Sequence, residues 1–420
     1  MSLRNLPAFH RVVDPEEGMR RTLIAALVLL SGNWLWGDLQ DRYKIGTIVL
    51  KGVDDFGGGK DWEGLFYDPY KDMVVAPDGS IFVVNTRAHD VYKFDKYGKF
   101  LKKFGRRGEG PGEHNTPLDP SILDGKYLVT GEYALNRRFT LWDLDGHYQR
   151  VVRTKTSVFY LTALRNSRVA YYTFNEHPTE ANGYQRTVSI IIKDIMGGGE
   201  KIVKRIASLD RSMIRIGPSE SMDIGNFFSQ VYLAQTIDGD LAVGVSNQPR
   251  IEIYSPTGEL MRTFDLKMAP LPADKKYIKE FKDIIMAELN AEDETTLDRN
   301  EKYWHDKEVK TLRNFDFSAI FDSCLPLYKD ILVDGEGNFL VFKFTPCQKD
   351  CHPEFQVYSK EGAFICETVL DRGTYGLEID RRFRQLCFTA DGIFGLFMER
   401  GDEDEILKLC KSDYLPAPQK

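Results

Sequence analysis

Residues 92–104 read YKFDKYGKFLKKF, and the same grammar returns as TLWDLDGHYQRVV at 140–152, EIYSPTGELMRTF at 252–264 and QVYSKEGAFICET at 356–368. In each window an aromatic residue is followed by three residues, a Gly, one residue and a large apolar residue. The sets are Phe94, Gly98, Phe100; Trp142, Gly146, Tyr148; Tyr254, Gly258, Leu260; and Tyr358, Gly362, Phe364. Strand-like runs flank a polar turn, and Gly supplies the positive φ that such a turn requires. Self-similarity at this spacing marks an array of hairpin units.

A second echo lies upstream of the hairpins. Asp78-Gly79, Asp124-Gly125, Asn166-Ser167, Asp238-Gly239, Glu336-Gly337 and Asp391-Gly392 open the apolar runs IFVV, YLVT, VAYY, LAVG, FLVF and FGLF. A short strand-like run precedes each turn, such as Met73–Val75 or Ile331–Val333. The unit is strand, tight turn, strand, loop, strand, Gly turn, strand, and it occurs six times. The predicted fold is therefore all-β: a six-bladed β-propeller of four-stranded antiparallel blades. A β-sandwich would not need the same turn chemistry at the same place in every unit. The sixth unit lacks a fourth strand, and a spare one lies at Lys44–Lys51. We read that strand as the outer strand of the last blade, closing the ring.

At roughly 40–50 residues per blade, six blades account for most of the 420 residues. The expected organisation is an N-terminal extension with a signal-like segment (1–37) and one propeller (38–420). Between blades four and five the strand pattern vanishes over 272–313. Tyr277, Ile278, Phe281, Ile284, Ile285 and Leu289 follow helical spacing there, with Asp274 placed to cap. That stripe reads as packing onto the propeller. Blade three looks loose, with a long loop at Asn175–Gln185 and a long connector at Ser208–Asn226.

Met19-Arg20-Arg21 precedes the apolar run Leu23–Leu30 and then Ser31-Gly32, the order of a secretory signal. Eight apolar residues fall short of the roughly 20 that span a bilayer. The expectation is an exported chain, periplasmic or extracellular, with Met19 as initiator. Membrane contact would come only through an uncleaved signal segment. The net charge of −7 and the absence of a basic stripe argue against nucleic acid as a partner.

All the cysteines lie in the last quarter of the chain. Cys387 and Cys410 fall on strands separated by a third, and with Cys366 they read as small apolar fillers. The loop 345–353 stretches blade five and carries Cys347, Cys351 and His352. The connector holding Cys324 opens on the same face. Cys324, Cys347 and Cys351 are disulfide candidates, against free thiols or a Cys/His metal site whose spacing matches no common zinc finger.

The segment VVAPDGSIFVVNTRAHDVYKFDKYGKFLKKFGRRGEGPGEHNTP, Val74 to Pro117, resembles the NHL-repeat propellers. Its tail Phe104-Gly105-x-x-Gly108-x-Gly110-Pro111-Gly112-Glu113 is similar to that family's inter-blade signature. Asn136–Phe139 and Gln248–Ile251 resemble its step into the third strand. With the helical insertion followed by Leu325–Asp334, the whole resembles the exported bacterial six-bladed β-propeller proteins. The resemblance implies a fold more firmly than an activity.

No HExxH, GxSxG, Walker or GxGxxG helix-start motif is present. The functional expectation is a monomeric binding module, acting through loops on one face of the ring. That face would carry Arg87, His89, Arg106, Arg107, His114, Glu132, Arg138, Arg250 and His352. Arg138 and Arg250 read first as structural ion pairs or loop hydrogen bonds, with a ligand contact at the mouth of the channel as the alternative. The ligand is a protein, a peptide or a small molecule, and no cofactor is predicted. The alternative is a hydrolase or lyase using calcium or zinc on the ring axis.

Overall fold

The computed structural model describes residues 38–52, 56–57, 65–66, 71–132, 136–179, 183–210, 213–215, 221–223, 230–291, 299–320, 324–344, 352–371, 378–379, 386–400 and 405–416. Six sheets follow one another along the chain. Blade one is Lys71–Val75, Ile81–Asn85, Asp90–Phe94 and Phe100–Phe104. Blade two is Pro117–Leu123, Tyr127–Glu132, Arg138–Asp143 and Tyr148–Arg153. Blade three is Phe159–Leu164, Arg168–Thr179, Gly183–Asp194 and Glu200–Asp210. Blade four is Val231–Gln235, Leu241–Val245, Arg250–Tyr254 and Leu260–Asp265. Blade five is Tyr328–Val333, Phe339–Lys343, Glu354–Tyr358 and Phe364–Asp371. Blade six is Leu386–Thr389, Gly392–Arg400, Glu405–Ser412 and, from the N-terminal side, Leu65–Phe66.

The ring closes through its core. Each blade packs both faces against neighbours, so second strands such as Ile81–Val84 and Phe339–Phe342 are buried throughout and read as unbroken apolar runs. One apolar cluster fills each junction. The junction of blade six with blade one joins Phe394, Leu396 and Leu409 to Met73, Ile81, Val83 and Phe94. The other junctions are filled in the same way from blade one to blade six.

The repeated hairpins share one geometry. In each, the residue after the aromatic donates to a carbonyl four residues on, and the Gly donates back: Asp143 N to His147 O at 3.0 Å and Gly146 N to Asp143 O at 2.9 Å, with equivalents at Asp95, Ser255 and Ser359. Gly146 and Gly362 have φ of +77° and +92°. Each also lies on an aromatic of the preceding blade's outer strand. A Cβ on Gly146 would sit 2.5 Å from the Phe104 ring, and one on Gly362 2.6 Å from the Phe264 Cβ. The motif thus serves both the turn and the fit between blades.

The N-terminal strand is not where the sequence placed it. Thr47–Val49 runs parallel to Phe364–Asp371 on the outer edge of blade five, with Leu415–Pro416 on its other side. The pair Leu65–Phe66 closes blade six against Leu407 and Lys408. The cause lies in helix α1 (Leu39–Tyr43), capped by Asp38. It buries Leu39 and Tyr43 among blades five and six. There the Tyr43 hydroxyl donates to Asp334 Oδ2 at 3.0 Å, and Gln40 Nε2 donates to Asn338 Oδ1 at 3.1 Å. Docked so, α1 delivers the following strand to the nearer edge, blade five.

Blade three also corrects the sequence reading. Asn175–Gln185 is not a loop: Arg168–Thr179 and Gly183–Asp194 pair along their whole length as a long hairpin. Within Ser208–Asn226, the fourth strand runs on to Asp210, and Met213–Arg215 pairs with Ser221–Asp223. The insertion is helical as expected, with α2 (Lys275–Ala291) and α3 (Arg299–Asn314). Asp274 Oδ1 accepts from Tyr277 N at 2.8 Å, the predicted cap. Phe281 packs with Leu312, Phe317, Leu325 and Phe344, so the stripe is core rather than a free groove. Backbone pairing of Leu271 and Pro272 with Leu325 and Cys324 fastens the base of the insertion.

Candidate functional site

The two faces of the ring are unlike. One carries the first and third turns of the blades, which are short and uniform. Ala76 to Ser80, Thr236 to Asp240 and Asp334 to Asn338 repeat the same pair of backbone hydrogen bonds. The other face carries the loops after second strands and the inter-blade connectors. Whereas α1 lies on the first turn of blade five, on the opposite face, the connector 105–116, the outer end of the long blade-three hairpin and the helical insertion open here. By strand direction, the predicted residues Arg87, His89, Arg106, Arg107, His114, Glu132, Arg138, Arg250 and His352 all belong to this face.

Six of them, His89, Arg106, Arg107, His114, Glu132 and Arg138, gather at the junction of blades one and two. Arg138 opens the third strand of blade two, and Glu132 ends the strand beside it. Their side chains are 3% and 0% exposed, and Arg138 Nε lies 2.5 Å from Glu132 Oε1. Glu132 Oε2 also accepts from Asn115 N at 3.1 Å. The guanidinium then reaches the connector: Nη1 donates to Glu109 O at 3.0 Å, and Nη2 to Gly108 O at 2.9 Å and Glu113 O at 3.4 Å. Glu113 folds back on its own loop, accepting from Gly110 N at 2.8 Å and Arg106 Nε at 2.9 Å. The hydrogen bonds to Gly110 N and Arg106 hold the Glu113 carboxyl below the usual range, against a smaller opposing effect of desolvation. Arg138 is thus a bracket that shapes this loop, the planar fork suited to several acceptors at once.

His114 lies beneath the same loop. It is 0% exposed, and neither ring nitrogen has a hydrogen-bond partner among the described residues. The ring packs 5.1 Å from Trp142, an aromatic of the hairpin motif. Gly105, at φ +88°, lies against it; a Cβ there would sit 2.9 Å from His114 Cδ2 and closer still to Nε2. His89 adopts φ +59° and buries an unpartnered Nδ1. Burial first, then the nearby Arg138 and His89 charges, lower the His114 pKa to about 4.

Arg107 pairs with His114 along the connector and points its side chain to solvent, as does Arg87 in the neighbouring loop of blade one. The other two predicted residues stand apart. Arg250 pairs with Asp265 at 2.9 Å on the surface, and His352 lies 3.4 Å from Asp371. Cys324 is a free thiol among the described cysteines, and its candidate partners Cys347 and Cys351 fall outside the described residues. Cys387 and Cys410 flank one strand, opposite Phe394 and Gly395, as the sequence implied. Burial pushes the Cys387 thiol up to about 11.

The sequence reading placed no site residue on the inner strands. A strand on the ring axis has an edge of backbone groups without ladder partners. The previous blade satisfies some of them: Asp72 Oδ2 accepts from Asp119 N at 3.2 Å, Asp119 Oδ2 from Leu161 N at 3.0 Å and Ser121 Oγ from Ala163 N at 2.8 Å. In blades two, three and five the inner strand bulges at the end nearest the loop-bearing face, at Asp119, Tyr160 and Lys329. Asp119 and Tyr160 take φ of +49° and +60°. Bulges re-aim side chains, and here the Tyr160 hydroxyl donates to Asp330 Oδ1 at 3.3 Å, from blade three to blade five. A signal was present: Asp72, Tyr160, Tyr232 and Asp330 each stand six residues before their blade's first turn.

Beside this mouth, Tyr160 stacks on Tyr172 at 5.7 Å, and Phe159 stacks on Phe174 at 4.4 Å, with the Arg186 guanidinium 4.5 Å over Phe174. These ring faces meet one another, so the column stiffens the long hairpin as a fixed wall. Among the described residues, no three His, Cys, Asp or Glu side chains are grouped to hold a metal ion. No helix of the described residues is long and apolar enough to cross a membrane.

Residues 71–237 match the model of a protein family described as a six-bladed β-propeller. That description does not name an NHL repeat, and the NHL likeness rests on the pattern of blade one. No curated protein matches the chain. Among solved structures, the chain is similar to a candidate exported protein from Bacteroides fragilis (11% identity, 87% of this chain and 99% of that one, TM-score 0.45). It is also similar to a DUF4221 family member from Bacteroides vulgatus (10% identity, 87% and 98%, TM-score 0.46). A third is virginiamycin B lyase from Staphylococcus aureus (9% identity, 83% and 97%, TM-score 0.38).

Proposed function

We propose that this chain is an exported binding module that takes its ligand on the loop-bearing face of the propeller, at the axis mouth and the blade one–two junction. The supporting observation is the asymmetry of the ring. One face is built from short repeated turns, with α1 docked on that of blade five, while the connector bracketed by Arg138, the long hairpin, the helical insertion and the bulged ends of the inner strands lie on the other. Variable loops on a rigid scaffold are where binding residues collect. Export rests on the signal-like order of residues 19–32.

A thermal-shift screen with free amino acids, short peptides, mono- and oligosaccharides and nucleotides tests this reading. A ligand that binds the folded state raises Tm by mass action. The expected result is a stabilising compound whose effect is lost in the Arg87→Glu, Arg107→Glu double variant, with the variant's own Tm unchanged. Stabilisation that survives this double charge reversal places the site elsewhere.

A further inference from the structure

The first connector carries a feature that binding alone does not explain. His114 is stitched into the loop by its backbone: its N–H donates to Arg106 O at 2.8 Å, and its carbonyl accepts from Gly108 N at 3.1 Å. Its ring fills the space under the loop against Trp142 and Gly105, yet offers two nitrogens that no described residue satisfies. A buried polar group left unpaired is costly, and an apolar ring of the same shape would avoid that cost.

The charges around the ring decide what a proton would do there. From blade one His89 acts on it, with Asp90 next along the chain and Lys103 3.4 Å from Asp90. From the connector come Arg106, Arg107, Glu109 and Glu113, and from blade two Glu132 and Arg138. Glu113 is engaged by Arg106 and Gly110, and Glu132 by Arg138 and Asn115. An imidazolium at His114 would therefore meet Arg138 and a second imidazole, with Glu113 held by Arg106, Glu132 by Arg138 and Asp90 Oδ2 by Lys103.

We propose that His114 and His89 form an acid-operated latch on the binding face: protonation of His114 drives its ring out from under the loop Gly105–Glu113 and frees that loop. The latch is closed at neutral pH and opens as the surroundings acidify. The loop's release needs no ligand, so the latch stands independently of what the propeller binds. The proton enters from solvent, no bond is made or broken in the chain, and raising the pH reverses the step.

Hydrogen exchange of the full chain at pH 7.5 and pH 5.0, corrected for the intrinsic rate, tests the latch. With His114 near 4 when closed and 6.5 when open, the opening equilibrium of residues 105–116 shifts roughly 30-fold toward open at pH 5. The reference hairpin 250–265 stays unchanged. His114→Phe keeps the packing and abolishes the shift, and His89→Gln reduces it. A wild-type change below about 3-fold, or one that persists in His114→Phe, overturns the proposal. Histidine-labelled wild-type protein gives a decision that does not depend on the variant folding. The His114 resonance should titrate only together with loop opening. Ordinary titration near 6.5 with the loop still protected also overturns it.

Discussion

Arg138→Met separates a structural bracket from a ligand contact. The substitution removes the guanidinium and keeps the apolar stem. Glu132 is then left buried at 0% side-chain exposure, with Asn115 N as its remaining donor among the described residues, and the carbonyls of Gly108, Glu109 and Glu113 lose theirs. Breaking one partner of a buried pair costs about 3–5 kcal/mol, because an uncompensated charge stays behind. The freed loop carbonyls can turn to water and add little. For a ring of this size the expected loss is a fall of about 5 °C in Tm. Glu132→Gln alone should also destabilise. The double variant Arg138→Met, Glu132→Gln should be more stable than the sum of the single losses predicts, by about 2 kcal/mol or more. Reversible urea unfolding of the full chain, followed by tryptophan fluorescence, measures all the corners of the cycle. A single-variant loss below about 1 kcal/mol, or strict additivity, refutes the bracket. Arg138 would then be a surface-like cation, free to serve a ligand.

Gly105→Ala forces a side chain into a left-handed position and against the His114 ring, so it should cost about 2 kcal/mol; the loss should shrink in a His114→Ala background, as compared by thermal melts. His114 makes stability depend on pH. Its folded pKa lies below the unfolded value, so the unfolded chain binds more protons between them, and stability falls as pH drops from 6.5 towards 4. The full loss is about 3 kcal/mol, and urea midpoints against pH should show it in the wild type and lack it in His114→Phe. Tyr43→Phe removes the donor to the buried Asp334, a loss of about 1–2 kcal/mol by urea melt. Deleting residues 1–52 should expose the outer edge of blade five and yield larger species by size-exclusion chromatography.

Much of the ring was legible because its signals are local. Gly98, Gly146, Gly258 and Gly362 turn alike, since a tight turn needs the same residue chemistry wherever it falls. The placement of the N-terminal strand was not legible. Alternation in Ile45–Leu50 says that a strand wants an edge, and only the docking of Leu39 and Tyr43 says which edge. The two-residue strand that closes blade six is too short to leave a pattern. The blade-three hairpin read as a loop because Asn175, Glu176 and Arg186 are polar, although they pair beyond the ring where polar strands are tolerated. At the site, residue type gave the face and topology gave its assembly. Sequence could not separate Arg138, which braces a loop, from Arg87, which meets solvent, because burial is a property of the packed blades. The bulges at Asp119, Tyr160 and Lys329 exist only as relations between strands.

A crystal structure of the chain with the compound that most raises its Tm tests the central claim most directly. The account predicts the compound on the loop-bearing face, between the connector 105–116 and the bulged ends of the inner strands. A compound seated instead among the uniform turns at 76–80, 236–240 or 334–338 would contradict it.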